Sequence, residues 1–257
     1  MERVNAVILA GGTLRLGPGD AARELDKAFV EVAGRTLIAL TVSALREAER
    51  VDEVIAIGPH ELLGHPVSLE VDAVHARRST EGAENVELAL AVAGQWPRAL
   101  LTGCDLPLLS PTAVDDFVAR APANAHIAYP MVRLEAARSR FPGYSWRAVH
   151  LADGDFVGGA MLIVDLAEVR RHPDLVRRAF GERKSQLALA RTLGLGTVVQ
   201  LMLRRATVAS LTARIGAATG LQVAAVESPH PEIALDVDRE EHLAMVTEIL
   251  AAEPASD

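Results

Sequence analysis

Val4-Asn5-Ala6-Val7-Ile8-Leu9-Ala10-Gly11-Gly12-Thr13-Leu14-Arg15-Leu16-Gly17 is the stretch whose reading decides the fold. Its first half is short and apolar and ends in a glycine pair. That is the pattern of a buried parallel strand delivering its carboxyl end into a loop. Two glycines there leave backbone N–H groups uncovered, so an anion can approach Leu9, Ala10, Gly11 and Gly12 closely. Arg15 and, further along the same loop, Lys27 add two cations. A glycine turn backed by Arg and Lys suits a polyphosphate. It is neither a P-loop, since no Gly-Lys-Ser/Thr follows, nor the dinucleotide fingerprint Gly-x-Gly-x-x-Gly.

Leu9-Ala10-Gly11-Gly12, Arg15-Leu16-Gly17, Lys27 and Gly34-Arg35-Thr36-Leu37-Ile38 together resemble the signature of the nucleotidyltransferases of the molybdenum-cofactor guanylyltransferase type, the MobA-like NTP transferases. These belong to the sugar-nucleotide pyrophosphorylase-like superfamily. Two spacings depart from the usual pattern: Thr13-Leu14 is a shorter gap before Arg15, and the gap from Gly17 to Lys27 is longer. The resemblance implies a three-layer, Rossmann-like (GT-A-like) open and mostly parallel sheet. It also implies transfer of NMP from an NTP, with GTP the nucleotide of the guanylyltransferases themselves. In that family the Lys matching Lys27 binds the phosphates of both substrates.

Composition narrows the function classes. A chain of 257 residues fits one large α/β domain or one domain with an excursion. Half the residues are hydrophobic but only 4% are aromatic, so the core must be aliphatic. The net charge of −8 argues against non-specific nucleic-acid binding, which needs a basic face. A single cysteine, Cys104, excludes an intramolecular disulfide and fits a reducing compartment. The start carries no signal-peptide h-region, and no run reaches the roughly 18 apolar residues of a membrane span. The expectation is a cytoplasmic protein with no membrane or nucleic-acid partner.

Along the chain the first half alternates strands and helices. Strands are expected at 4–10, 54–58, 71–75, 98–102 and 127–130, with helices at 37–49 and 83–93 and one opening at Ser110-Pro111. Repeated βα units imply a parallel sheet with helices on both faces. The stretch 133–149, rich in Arg and aromatics, reads as an excursion or lid at the cleft. Phe156–Val164 is strand-like around a glycine pair. From 166 to 220 the pattern is helical, at 166–171, 174–180, 185–193 and 208–219, and reads as an excursion within a single domain spanning 1–257. A strand at 221–226, an extended segment 233–237 and a helix over 239–252 close the chain, before a frayed tail at 253–257.

Thr102-Gly103-Cys104-Asp105-Leu106-Pro107 ends a strand with a carboxylate at its carboxyl edge, where ligands bind in open α/β sheets. The resemblance makes Asp105 a Mg²⁺ ligand, and Mg²⁺ characteristically takes one or two carboxylates plus substrate phosphates. The alternative is a turn or N-cap Asp. Cys104 reads as a small buried hydrophobe. Leu235-Asp236-Val237-Asp238-Arg239-Glu240-Glu241-His242 resembles the Asp-x-Asp segment near the end of these transferases, in which an Asp is a second metal ligand. Asp238 and Asp236 are the candidates, and strand alternation would send both to one face. The alternative is a capping box of Asp238 with Glu241.

Thr80-Glu81-Gly82-Ala83-Glu84-Asn85 begins a helix that in the resembled family contacts base and ribose. This points to Gly82 and Asn85, with plain N-capping by Thr80 as the alternative. Gly158-Gly159-Ala160 matches a Gly-Gly-Asn-like strand that faces the acceptor, with Ala160 lacking the amide. Lys184, at a helix start with Ser185, can hold an acceptor phosphate or simply be solvated.

The function expected is thus Mg²⁺-dependent transfer of NMP from an NTP to a phosphorylated small-molecule acceptor with release of pyrophosphate. Arg15, Lys27 and Asp105 are the catalytic candidates. ATP, CTP and UTP stand beside GTP as nucleotides, and molybdopterin, a phosphosugar or a phospho-acid as acceptors. Two other classes compete. An NAD(P)-dependent oxidoreductase shares the strand-glycine start, but Gly58-Pro59-His60 stands where an acidic residue should end the second strand. A non-catalytic nucleotide-binding protein on the same fold is the other.

Overall fold

The computed structural model describes residues 2–18, 23–77, 82–173 and 195–252. Strand β1 (Val4–Leu9) turns Ala6 and Ile8 to one face and Val7 to the other, and all three are fully buried. Burial on both faces is why the run is apolar throughout instead of alternating with polar residues. The chain then makes an antiparallel hairpin of β2 (Thr13–Leu16) and β3 (Arg23–Asp26), where the sequence suggested an irregular loop. The hairpin strands are mostly exposed, and Leu14 alone is fully buried. That single buried contact gives no periodic signal to read.

Two short paired strands, β4 (Glu31–Val32) and β5 (Arg35–Thr36), lead into helix α1 (Leu37–Glu47), whose first turn is capped by Thr36. β6 (Val51–Gly58), β7 (Ala73–Ala76), α2 (Gly82–Val92), β8 (Arg98–Gly103) and α3 (Pro111–Arg120) follow as the alternating βα pattern anticipates. Ser110 accepts the Ala113 N–H at 3.1 Å, and Pro111 occupies the first helical position. β1 pairs in parallel with β6 and β8, and β6 with β7.

Beyond β8 the sheet becomes mixed. β9 (Ile127–Arg133) runs into α4 (Leu134–Arg140), and then come β10 (Ala148–Leu151), β11 (Gly154–Gly158) and β12 (Met161–Asp165). The segment expected as one strand over 156–164 is therefore two, with the pairing against β9 slipping at Gly158–Ala160. β12 is antiparallel to both β8 and β9. Helices α5 (Leu166–Arg170), α6 (Leu195–Met202) and α7 (Val208–Thr219) follow, then β13 (Val223–Glu227), parallel to β9, and α8 (Glu240–Ala252). A Thr207–Ser210 capping box opens α7. Gly220, at φ 73°, closes it in the left-handed conformation that glycine accepts without a Cβ clash. The helices anticipated at 174–180 and 185–193 lie outside the described residues.

The layers follow from strand alternation. Ala6, Ile8, Val54, Ala56 and Leu100 face α1 and α3, where Ile38, Val42, Leu45, Val114 and Phe117 cover them. Val7, Ile57, Ala99 and Leu101 face Val86 and Leu90 of α2 and Leu166 and Val169 of α5. This is an α/β fold of three layers about a mixed, mostly parallel central sheet. A separate cluster joins Leu14 of the hairpin, Val32, Leu37, Phe141, Leu235, Val237 and Val246. It docks the hairpin, the 141–146 segment and the chain's last helix beside the carboxyl edge of β1 and β8. The stretch 133–149, expected as an excursion or lid, is thus partly core: Phe141 and Ala137 are buried. No helix among the described residues is long and apolar enough to cross a membrane.

Candidate active site

The site begins at the glycine pair. Gly12 adopts φ +85°, which lets the chain leave β1 and turn into the hairpin. Thr13 pairs with Asp26, so the hairpin returns the chain to its start, and the Lys27 N–H donates to Gly12 O at 3.1 Å. The long spacing between Gly17 and Lys27 is absorbed in this excursion, and Lys27 lands beside Gly12. A Cβ on Gly12 would stand 3.8 Å from Lys27 Cδ. At the other end of the hairpin, the Gly17 N–H donates to Glu240 Oε2 at 3.0 Å, tying it to the start of α8.

Lys27 does not pair with its neighbour Asp26, which accepts from Arg77 at 2.8 Å. Its Nζ reaches across the cleft to Asp105 Oδ2 at 2.6 Å and Asp238 Oδ1 at 2.5 Å. The Lys27 and Asp105 side chains are only 10% and 14% exposed, whereas Asp238 is 46% exposed. Burial works against the Lys27 ammonium, but the two carboxylates outweigh it and raise its pKa. Burial also works against the Asp238 carboxylate, and here the Lys27 hydrogen bond and charge prevail and lower its pKa.

Asp105 lies two residues beyond the end of β8, and its carbonyl oxygen accepts the Val237 N–H at 3.0 Å. That bond lays the terminal segment along the strand end. The segment is not a regular strand: a 3₁₀ turn over Pro231–Ala234 leads into extended chain, so strand alternation does not orient Asp236 and Asp238. Even so, one ligand oxygen from each of Asp105, Asp236 and Asp238 lies within 4.8 Å of the others. Tyr144 Oη sits 2.7 Å from Asp236 Oδ1 and 2.9 Å from Asp236 O. Burial, and then the Asp105 charge, push the Asp236 carboxyl up, against the Tyr144 hydrogen bond. Three close carboxylates with hard oxygen donors suit a divalent cation such as Mg²⁺. The Asp238 carboxylate bonds Lys27, which disfavours the capping-box alternative.

The remaining candidates are distributed around this centre. Leu9 ends β1, and the Ala10 N–H donates to Ile57 O at 2.7 Å. Asn85 is buried on the first turn of α2, and a Cβ on Gly11 would stand 3.8 Å from its Nδ2, so helix and glycine loop meet here. Gly82 is the exposed first residue of that helix. Arg15 is exposed on β2, opposite Glu24. Gly158 and Gly159 stand at the slip between β11 and β12. A Cβ on Gly158 would fall 1.7 Å from Tyr129 Oη, and one on Gly159 would fall 2.6 Å from Pro130 Cγ. Lys184, Thr80 and Glu81 lie outside the described residues. Cys104 is 1% exposed, and burial pushes its thiol pKa up, in keeping with a packing role.

Two neighbours of the carboxylates were not singled out from the sequence, Gly103 and Tyr144. A Cβ on Gly103 would stand 2.5 Å from Asp105 Oδ1, so the carboxylate rests where only glycine leaves room. The concentration of aromatics at 141–146 in an aromatic-poor chain was the available signal for Tyr144, but nothing local connects it to Asp236. Within the Arg-rich stretch 133–149, Arg133 pairs with Glu227 at 2.8 Å.

Known proteins share this fold. A hypothetical transferase from Thermus thermophilus is similar at 31% identity, over 94% of this chain and 99% of that one, with a TM-score of 0.80. A nucleotidyl transferase from Methanothermobacter is similar in fold at 16% identity, over 97% and 98% of the two chains, with a TM-score of 0.57. So is a 2-C-methyl-D-erythritol 4-phosphate cytidylyltransferase from Thermus thermophilus, at 19% identity, over 98% and 100%, with a TM-score of 0.55. The model of the MobA-like NTP transferase domain matches residues 6–213. With the glycine loop, Lys27 and Asp105 all inside that match, the chain belongs to the MobA-like NTP transferase family.

Proposed function

We propose that this nucleotidyltransferase works as a single catalytic domain that is Mg²⁺-dependent and moves NMP from an NTP, GTP by family resemblance, to a phosphorylated small molecule. The observation that carries the reading is the meeting of Lys27 with Asp105 and Asp238, with Asp236 alongside, at the carboxyl edge of β1 and β8. The N–H groups of Gly11 and Gly12 and the Arg15 guanidinium hold the β- and γ-phosphates. Asn85 and Gly82 lie toward the base. An oxygen of the acceptor phosphate attacks the α-phosphorus, the bond from that phosphorus to the bridging β-oxygen breaks, and pyrophosphate leaves. The attacking oxygen is already anionic, so no general base is needed. Lys27 stabilises the charge that builds on the α-phosphate oxygens. Mg²⁺, held by Asp105, Asp236 and Asp238, supplies further charge neutralisation and alignment. Gly158, Gly159 and Lys184 are the acceptor-side candidates.

The test is a panel of ATP, GTP, CTP and UTP, with and without Mg²⁺, and of NADH and NADPH, read first as thermal stabilisation. Near a hundredfold excess over its Kd, the correct nucleotide adds about 2.7 kcal/mol of apparent stability. That nucleotide is then incubated with phosphosugars, phospho-acids and a molybdopterin, and pyrophosphate release is followed. Release with one acceptor supports the reading. Stabilisation without release from any of them marks a nucleotide-binding protein, and stabilisation by NAD(P)H alone an oxidoreductase.

A further inference from the structure

Lys27 compensates two of the three clustered carboxylates, Asp105 and Asp238. The third, Asp236, is held instead by an uncharged donor. Tyr144 Oη lies 2.7 Å from Asp236 Oδ1 and 2.9 Å from the same residue's carbonyl oxygen, so one phenol fixes both side chain and backbone. A neutral donor orients a carboxylate without cancelling its charge. The Tyr144 bond to Oδ1 leaves the second oxygen of Asp236, Oδ2, to face a cation.

The tyrosine is itself braced. Its ring centroid lies 4.4 Å from that of Trp146 and 4.3 Å from that of His242, which belongs to α8. His242 Nδ1 in turn accepts the Asp238 N–H at 3.3 Å. The Tyr144–His242 pair, in tilted ring contact, thus grips the terminal segment at both of its metal-ligand candidates, from the carboxylate of one and the backbone of the other. His242 is only 5% exposed, and its Nε2 is buried without a hydrogen-bond partner among the described residues. The ring is placed for its Nδ1 contact and its contact with the Tyr144 ring.

We propose that Tyr144, braced by His242, is a positioning residue that presents Asp236 Oδ2 to a divalent cation. This rests on the nucleotidyltransferase reading above. Groups that orient a metal ligand characteristically change metal affinity by about 10- to 100-fold when removed.

The experiment is Mn²⁺ binding, followed by the electron paramagnetic resonance of free Mn²⁺, since Mn²⁺ shares the oxygen-ligand preference of Mg²⁺. It compares the parent with Asp105→Asn, Tyr144→Phe, Trp146→Phe, Asp236→Ala and the Asp236→Ala/Tyr144→Phe double variant. Tyr144→Phe keeps both ring contacts and removes only the hydroxyl. The expected result is loss of binding in Asp105→Asn, about 10- to 100-fold weaker binding in Tyr144→Phe, and little change in Trp146→Phe. Tyr144→Phe should add nothing in the Asp236→Ala background, because it acts through that carboxylate. Parent-like affinity in Tyr144→Phe beside a defective Asp105→Asn overturns the positioning role and leaves the transferase reading standing. An equal additional loss in the double variant also overturns it. A parent that binds no Mn²⁺ overturns this inference together with the three-carboxylate metal site proposed above, and leaves the family assignment standing.

Discussion

The carbonyl oxygen of Asp105 accepts the backbone N–H of Val237 at 3.0 Å. One end of this bond is the carboxyl edge of a central parallel strand, and the other is a terminal segment with no sheet partner of its own. The side chains flanking the bond, Asp105, Asp236 and Asp238, are the three acids whose oxygens gather within 4.8 Å. Leu235 and Val237, both fully buried between them, supply the apolar anchor. Charge repulsion opposes the assembly, and Lys27 is what relieves it.

Replacing Lys27 with Met should therefore destabilise the metal-free protein. It strands Asp105, only 14% exposed, beside two other acids. Breaking a buried pair by removing one partner costs about 3 kcal/mol or more. Urea unfolding in EDTA measures the loss, and adding Mg²⁺ should recover part of it. Unchanged stability in EDTA would mean that the carboxylates do not need this ammonium.

Gly103→Ala separates site from scaffold. Its new methyl would stand 2.5 Å from Asp105 Oδ1, so the carboxylate must swing away while the strand survives. A misplacement of about 1 Å in a reacting geometry costs on the order of 100-fold in rate. Turnover should fall steeply while the melting temperature shifts by a few degrees at most, roughly what 1 kcal/mol produces. Full activity in the variant would show that the Asp105 rotamer is not important.

The order of the elements was legible because it rests on local pattern. The apolar run of β1, the helical spacing of α1 and the Ser110-Pro111 start of α3 each have their cause within a few residues. The β2–β3 hairpin was not legible. It is exposed, except for Leu14, and is held by a cluster assembled from residues 14, 37, 235 and 246. The same division runs through the site. Gly12, Lys27 and Asp105 were candidates from their local motifs and the resemblance those carry, and the structure brings them together. Tyr144 was missed because its partner Asp236 is distant in sequence, and the pair exists only once Phe141 and Leu235 share a core. Which of Asp236 and Asp238 faces the cleft was likewise a tertiary question, and the structure brings both there.

His242 gives a pH dependence with a definite sign. Burial lowers its pKa below the ordinary 6.5, with Arg239 adding to the effect against the opposing pull of Asp236 and Asp238. As pH falls through 6.5, the unfolded chain takes up a proton there before the folded chain does. Stability thus rises with pH across that window and is lost on acidification below it. In His242→Phe the difference in unfolding free energy between about pH 7.5 and about pH 5.5 should shrink. An undiminished difference would place the acid sensitivity elsewhere.

Cys104 is the only cysteine and is 1% exposed, with its thiol held protonated by burial. A thiol reagent such as dithionitrobenzoate should label it only when denaturant is added. Fast stoichiometric labelling of the native protein would contradict its place in the core.

The measurement that bears most directly on the central claim is calorimetric titration of the parent and of Asp105→Asn with GTP, and with the other three NTPs, in Mg²⁺ and in EDTA. Asparagine keeps the shape of residue 105 and removes its charge. The account predicts that one NTP binds the parent in Mg²⁺, and that binding weakens sharply both in EDTA and in Asp105→Asn. Equal binding under all of these conditions, or no binding of any NTP, would contradict a metal-assisted nucleotide site at Asp105.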